Sequence, residues 1–457
     1  MKNADALRTL PSVEAIIGDE RVVPLLDRMP RRLALMVIRR YVSDVRERLL
    51  ADKPGQFDWT TLLERLARQA RPSLRRAINA LGVVLHTGLG RAALSRPAQA
   101  ALTEASENFC TLAIEIETGR RGERYAHVAE LLCELTGAEA AMVVNNNAAA
   151  TMLILNTLAE GREVVISRGQ LVEIGGAFRM PDIMKRSNVR MVEVGTTNRT
   201  HLKDYRSALT PETGMLVRVH TSNYKITGFT KEVSLADLVA LGHGANVPVV
   251  DDLGSGALID LSKYGLPKEP MVQESLAAGA DIVCFSGDKL VGGPQSGIIV
   301  GRKTLIDRMK QNPLTRTLRC GKLTYAALEA TLRMFFDEER LVREHSVLSV
   351  MLKPPAEIER AAVELRAATE DIGGLEAKIE TGVSEIGGGS LPTEPLPTRI
   401  VALNTGRMPA EELGRRLRLS DPAVFGRIEN GRLLLDLRTV RPDEVALIAR
   451  ALHGILG

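Results

Sequence analysis

Lys289 stands in the run Ile282-Val-Cys-Phe-Ser-Gly-Asp-Lys289-Leu-Val-Gly-Gly-Pro-Gln-Ser-Gly297, just after a short apolar stretch and just before a glycine-rich one. An apolar run ending in Ser-Gly-Asp-Lys carries the lysine to the C-terminal edge of a sheet, where ligands of open α/β folds bind. Lysine suits attack on an aldehyde there, because partial burial or a nearby cation lowers its pKa and frees the neutral amine that a Schiff base requires. The cofactor this chemistry points to is pyridoxal 5'-phosphate. Such a cofactor also needs a carboxylate for its pyridine nitrogen, donors for its phosphate and a polar group near its phenolic oxygen.

Each of these is available at the end of an apolar run. The carboxylate lies in Val249-Val-Asp-Asp-Leu-Gly-Ser-Gly256. Neighbouring strand residues point to opposite faces, so one of the two aspartates serves, and Asp252 is chosen over Asp251. In Val144-Asn-Asn-Asn-Ala-Ala-Ala-Thr151 a strand gives way to a helix, whose first N–H groups favour an anion. Asn145, Asn146, Asn147 and Ala148 are therefore expected at the phosphate, with Ser286 adding its hydroxyl. An asparagine in this place is also a common helix cap. Asn223, in Val219-His-Thr-Ser-Asn-Tyr224, follows another strand and is placed near the phenolic oxygen. A second anion site is read from Arg91, Arg316 and Arg319, since the guanidinium fork pairs with phosphate-like oxyanions.

These residues need a scaffold that brings several strand ends together. Short apolar runs alternate with helical stretches: Ala141 to Val144, Val164 to Ser167, Met191 to Val194, Met215 to Val219, Pro248 to Asp251, Ile282 to Phe285 and Gly297 to Val300. That pattern predicts a mainly parallel seven-stranded α/β domain covered on both faces, over residues 76–320. Ser234 is expected to cap a crossover helix. Residues 1–75 read as helical and arginine-rich, with Pro30 opening a helix that carries Leu33, Met36, Val37, Val45 and Leu49. Residues 321–457 read as a small α+β domain. It starts with a long helical stretch around Tyr325 to Arg343, and its Gly387–Pro397 segment has the composition of a mobile connector or lid.

Composition narrows the possibilities. With 457 residues, 45% apolar content and a net charge of +4, the chain is an ordinary globular one of two or three domains. It permits a polyanionic partner without requiring one. Cys110, Cys133, Cys284 and Cys320 show no disulfide or metal spacing, so no metal is expected. The N-terminus lacks a secretion signal and no segment suits a bilayer, which places the protein in the cytoplasm, away from membranes.

Taken together, these motifs resemble the bacterial selenocysteine synthases, the L-seryl-tRNA(Sec) selenium transferases, which are fold-type-I pyridoxal-phosphate enzymes. The similarity covers nearly the whole length and includes Leu10-Pro-Ser-Val13, Gly119-Arg-Arg-Gly122, Val144-Asn-Asn-Asn-Ala148, Ser167–Arg179, His220-Thr-Ser-Asn-Tyr224, Asp252-Leu-Gly-Ser-Gly256 and Ser286-Gly-Asp-Lys-Leu290. The resemblance implies Lys289 as the Schiff-base lysine and Arg91, Arg316 and Arg319 as receivers of the selenium donor's anion. It implies an N-terminal domain that grips tRNA and a homo-oligomer, a decamer built from dimers. The implied reaction converts seryl-tRNA(Sec) to selenocysteinyl-tRNA(Sec) with selenophosphate, by loss of water through a dehydroalanyl intermediate. Two positions depart from the pattern: Gly88 stands where asparagine is expected, and Asp251 where an apolar residue is. A competing reading is a fold-type-I lyase or aminotransferase acting on a free amino acid or amino sugar acid. The arginine-rich N-terminal extension speaks against it, since a small substrate needs no such arm.

Overall fold

The computed structural model describes residues 7–8, 10–51, 53–176, 178–391 and 394–457. Ala177 of the Ser167–Arg179 motif, and Pro392 and Thr393 of the glycine-rich segment, lie outside them, as does most of the opening stretch through Arg8 and Thr9. The chain forms two compact units, divided between Ala77 and Ile78.

In the first unit, helix α1 spans Arg31–Leu50 with Pro30 at its N-cap, and α2 spans Trp59–Gln69 with the Asp58 carboxylate accepting from the N–H groups of Thr60 and Thr61. The buried stripe of α1 is Ala34, Ile38, Tyr41, Val42, Val45 and Leu49. Of the apolar residues read from the sequence, Val45 and Leu49 lie on this stripe. Met36 is half exposed, and Leu33 and Val37 are only partly buried, because helical spacing back from Val45 and Leu49 passes through Ile38 and Ala34. Arg32, Arg39 and Arg46 lie on the exposed side.

The second unit is built on a seven-stranded sheet. Its strands are β1 (Ala140–Val144), β2 (Glu163–Ser167), β3 (Arg190–Val194), β4 (Thr213–Val219), β5 (Val249–Gly254), β6 (Ile282–Ser286) and β7 (Gly297–Gly301). The order is β1-β7-β6-β5-β4-β2-β3. Strands β6, β5, β4, β2 and β3 run parallel, while β7 is antiparallel to both neighbours. The seven expected runs all form this sheet. Alternate residues serve two cores: Ala141, Val143, Val283, Phe285, Ile298 and Val300 pack on one face, and Met142, Val144, Val250, Ile282, Cys284 and Ile299 on the other. A strand buried on both faces reads as a continuous apolar run, which is why these were legible. Helix α3 (Asn147–Ala159) packs on the second face, and α4 (Leu235–Gly244) starts at Ser234, whose hydroxyl accepts the Asp237 N–H.

The expected helical stretch near 325–343 holds two helices, α5 (Lys322–Met334) and α6 (Glu338–Glu344), because Asp337 leaves helical geometry and caps the second by accepting from the Arg340 N–H. Beyond them, β8 (Leu375–Ser384), β9 (Leu396–Thr405), β10 (Arg427–Glu429) and β11 (Arg432–Asp436) form an antiparallel sheet in the order β8-β9-β11-β10. It shares a core with helices α7 (Pro355–Ala367), α8 (Ala410–Leu419) and α9 (Pro442–Leu456). Among the described residues no helix is long and apolar enough to cross a membrane.

Candidate active site

Lys289 follows β6 in a tight turn and is 3% exposed. Burial first, and then the positive charge of Arg91, lower its pKa from 10.5 to about 8, while Asp252, Asp288 and Glu269 act the other way. Its Nζ donates to the carbonyl of Gly389 at 3.3 Å. Cofactor-free protein should therefore capture an aldehyde at a rate that rises about 10-fold per pH unit below about 8 and flattens above it. Stopped-flow capture of pyridoxal phosphate measures this. A rate still climbing that steeply at pH 10 would contradict it.

The adjacent aspartates face opposite ways. Asp251 turns to one side, where Arg218 lies at 3.1 Å and Ser275 Oγ donates at 2.7 Å. Asp252 turns to the lysine's side, accepting from Asn147 Nδ2 at 2.8 Å and Thr151 Oγ1 at 3.0 Å. Burial raises the Asp252 carboxyl above the ordinary carboxylate range, against the pull of those two donors. A buried carboxylate bonded only by neutral donors is suited to a cationic ring nitrogen.

The asparagine run divides its work. The Asn146 side chain caps α3 by accepting the Ala149 N–H at 2.9 Å, and Asn147 is committed to Asp252. What remains for an anion is the backbone of the first turn of α3, including Ala148. The Asn145 N–H donates to the Leu318 carbonyl at 2.8 Å, and Val144 pairs with Arg319. The segment bearing Arg316 and Arg319 thus lies along the end of β1, beside the start of α3. Both arginines are exposed, and the charges of Arg124 and then Arg316 push the Arg319 pKa down.

Arg91 has a different partner. It adopts a positive φ of 61° and its Nη1 lies 2.7 Å from Asp288 Oδ2, next to the lysine. Sequence reasoning assigned Asp288 no role, although it sits in the lysine motif. Asn223 is exposed and donates to the Glu173 carbonyl at 2.8 Å, and Ser286 is buried at the end of β6. Gly88 faces only the ring of His86, so an asparagine there would meet that ring first.

Two further residues escaped the sequence reading. Ser222 is 1% exposed with its hydroxyl unpartnered, one residue from the asparagine that was chosen. Gly389 was read only as part of a glycine-rich connector or lid, with no sign that it meets Lys289. A Cβ at Gly389 would stand 3.4 Å from Lys289 Nζ and 3.5 Å from Ser222 Oγ, and one at Gly254 would stand 3.4 Å from Ser222 Oγ. Glycine at both positions, with φ of 70° and 65°, keeps space open around the amine. The segment expected as a loose connector packs here, with Gly387 and Gly388 against Val83 and Leu85.

The open space, the unpartnered hydroxyl of Ser222, the buried Asp252 and the depressed lysine fit pyridoxal phosphate. Lys289 would hold its aldehyde carbon, Asp252 its ring nitrogen and the α3 N-terminus its phosphate. Fold and site together define a fold-type-I pyridoxal-phosphate enzyme. The solved structure of D-glucosaminate-6-phosphate ammonia-lyase resembles this chain with a TM-score of 0.58 and 25% identity, over 84% of this chain and 96% of that one. The family described as L-seryl-tRNA selenium transferase matches residues 77–441, and the chain belongs to it. The L-seryl-tRNA(Sec) selenium transferase of Desulfomicrobium baculatum is 46% identical over 98% of both chains, and that of Alkaliphilus oremlandii is 43% identical over the whole of both.

Proposed function

We propose that this protein converts L-seryl-tRNA(Sec) to L-selenocysteinyl-tRNA(Sec), with selenophosphate as the selenium donor. The observation that carries the reading is a buried lysine of lowered pKa beside a buried carboxylate, in a chain at least 43% identical to selenium transferases along its length. Pyridoxal phosphate, when bound, supplies an electron sink for charge at the seryl Cα. Lys289 Nζ takes the Cα proton and later returns it. Asp252 keeps positive charge on the ring nitrogen. The seryl hydroxyl departs from Cβ as water, the selenium of selenophosphate forms the new bond at the same carbon, and a water molecule cleaves the P–Se bond to release phosphate.

The serine carboxyl is esterified to tRNA, so no arginine is needed to clamp it. Arg91, Arg316 and Arg319 are then available for the donor's phosphate. Residues 1–75 serve as the tRNA-binding domain, with Arg32, Arg39 and Arg46 exposed along α1 to meet backbone phosphates. Residues 76–320 hold the cofactor and 321–457 form the small domain. Aromatic residues are 3% of the chain, which favours recognition of tRNA by shape over base stacking. The protein works in the cytoplasm as a decamer built from dimers, the assembly that the family resemblance implies.

The test offers the protein seryl-tRNA(Sec), free serine and selenophosphate together. Consumption of the tRNA-linked serine alone, with selenocysteinyl-tRNA as product, is the expected result. A chain beginning at Ile78 should keep cofactor absorbance and lose tRNA retention. Turnover of free serine would favour the amino-acid lyase reading instead.

A further inference from the structure

We propose that His345 is a positioning residue for Lys289, acting through the backbone carbonyl of Val291. The turn that carries the lysine holds Gly287, Gly292 and Gly293, so its own sequence leaves it many conformations. Two bonds close it on itself: the Gly292 N–H donates to the Lys289 carbonyl at 2.9 Å, and the Gly293 N–H to the Gly287 carbonyl at 2.8 Å. Neither places the turn against the sheet. Placement comes from bonds to groups outside the turn, one of them the Arg91 guanidinium on Asp288 at 2.7 Å. On one side the Leu290 N–H donates to the Ser255 carbonyl at 3.2 Å, and on the other His345 Nε2 bonds the Val291 carbonyl at 2.8 Å.

His345 is fully buried, with Phe335 edge-on at 5.5 Å and Leu341, Val347 and Leu348 in the same core. An imidazole in such surroundings is costly unless both nitrogens are bonded. Both are. Nδ1 accepts the N–H groups of Val347 at 3.3 Å and Leu348 at 3.2 Å, so the proton resides on Nε2, which donates to Val291. Burial lowers the ring's pKa to about 4, so this tautomer persists while Lys289, at about 8, titrates. The turn is fitted to the ring from its side as well. Gly292 has a φ of 64°, and a Cβ there would stand 2.3 Å from His345 Cε1. His345 belongs to the connection after α6, so it ties the lysine turn to the path that leads into the C-terminal region.

The inference rests on Lys289 being the cofactor lysine, and two substitutions separate positioning from plain packing. His345→Gln can place a donor where Nε2 was but offers no acceptor at Nδ1. His345→Asn keeps an acceptor near Nδ1 and cannot reach Val291. Both variants should melt below wild type. Only His345→Asn should raise the cofactor concentration for half-saturation, by about 10-fold, and move the pH midpoint of the bound cofactor's visible absorbance by about half a unit or more. His345→Gln should stay within about 2-fold of wild type on the first measure. Equal shifts in the two variants, or none in either, would overturn the proposal. Should His345→Asn fail to fold, Gly292→Ala displaces the ring from the other side, and an unshifted midpoint there overturns it equally. If wild-type protein shows no lysine-linked absorbance, the cofactor reading itself falls. If it does and both variants match it, only the part played by His345 falls.

Discussion

Replacing Lys289 by alanine should abolish the visible absorbance of the bound cofactor and reduce selenium transfer by about 1,000-fold or more, while tRNA retention stays at the wild-type level. The size follows from the two tasks of one amine. It is the covalent attachment point, and it is the group that moves the Cα proton. Among the described residues no other amine is bonded into the site: Lys353, a partly buried lysine whose pKa is also lowered, donates to the carbonyls of Arg438 and Val440 in the C-terminal region. Borohydride reduction followed by peptide mapping provides the direct check, with label expected at position 289 alone. Label elsewhere, or a Lys289→Ala protein that still turns over, would remove the foundation of the functional reading.

The second large effect is expected at Asp252, and it has opposite signs in two measurements. Asp252→Asn should cut turnover by about 100-fold or more, since a neutral amide cannot keep positive charge on the ring nitrogen. The same substitution should raise the melting temperature of cofactor-free protein at neutral pH. Burial places the folded pKa of this carboxyl above its unfolded value near 3.8. The stability linked to this group is therefore complete below about 3.8 and is lost as pH rises through the folded value. At neutral pH, above the unfolded value, burial of this carboxyl is therefore a burden on the empty protein. Asparagine removes the charge and can still bond Asn147 and Thr151. Adding pyridoxal phosphate should reverse the order, because only the aspartate gains a cationic partner. Paired thermal melts with and without cofactor test this, and a variant less stable than wild type in both states would refute the account.

Much of the fold was legible because it rests on local patterns. Strands covered on both faces need continuous apolar runs, which made the inner strands plain, while the edge strand β3 was read from Met191, Val192 and Val194 around an exposed Glu193. Ser234 was recognisable as a cap from its place before an apolar helix. The two aspartates are adjacent, so strand alternation alone separated a residue facing Lys289 from one facing Arg218. Local pattern was weaker where several periodicities fit. In α1 the apolar residues are dense enough to allow two faces, and packing chose the one through Ala34 and Ile38. In the asparagine run, residue type showed that polar groups collect at the start of a helix. It did not show that Asn146 is spent on capping and Asn147 on Asp252.

The amino-acid sequence by itself determined the chemistry on offer: a lysine and a carboxylate at neighbouring strand ends, and a helix start beside them. It could do so because each rests on a period of two or a cap within a few residues. Only the tertiary structure decided how those groups are tuned and held. The pairing of Arg91 with Asp288, the packing of Gly389 over the amine and the bond from His345 to the lysine turn join residues 54 to 197 positions apart. Contacts at such separations follow from how sheets and helices close on one another, and no local spacing encodes them.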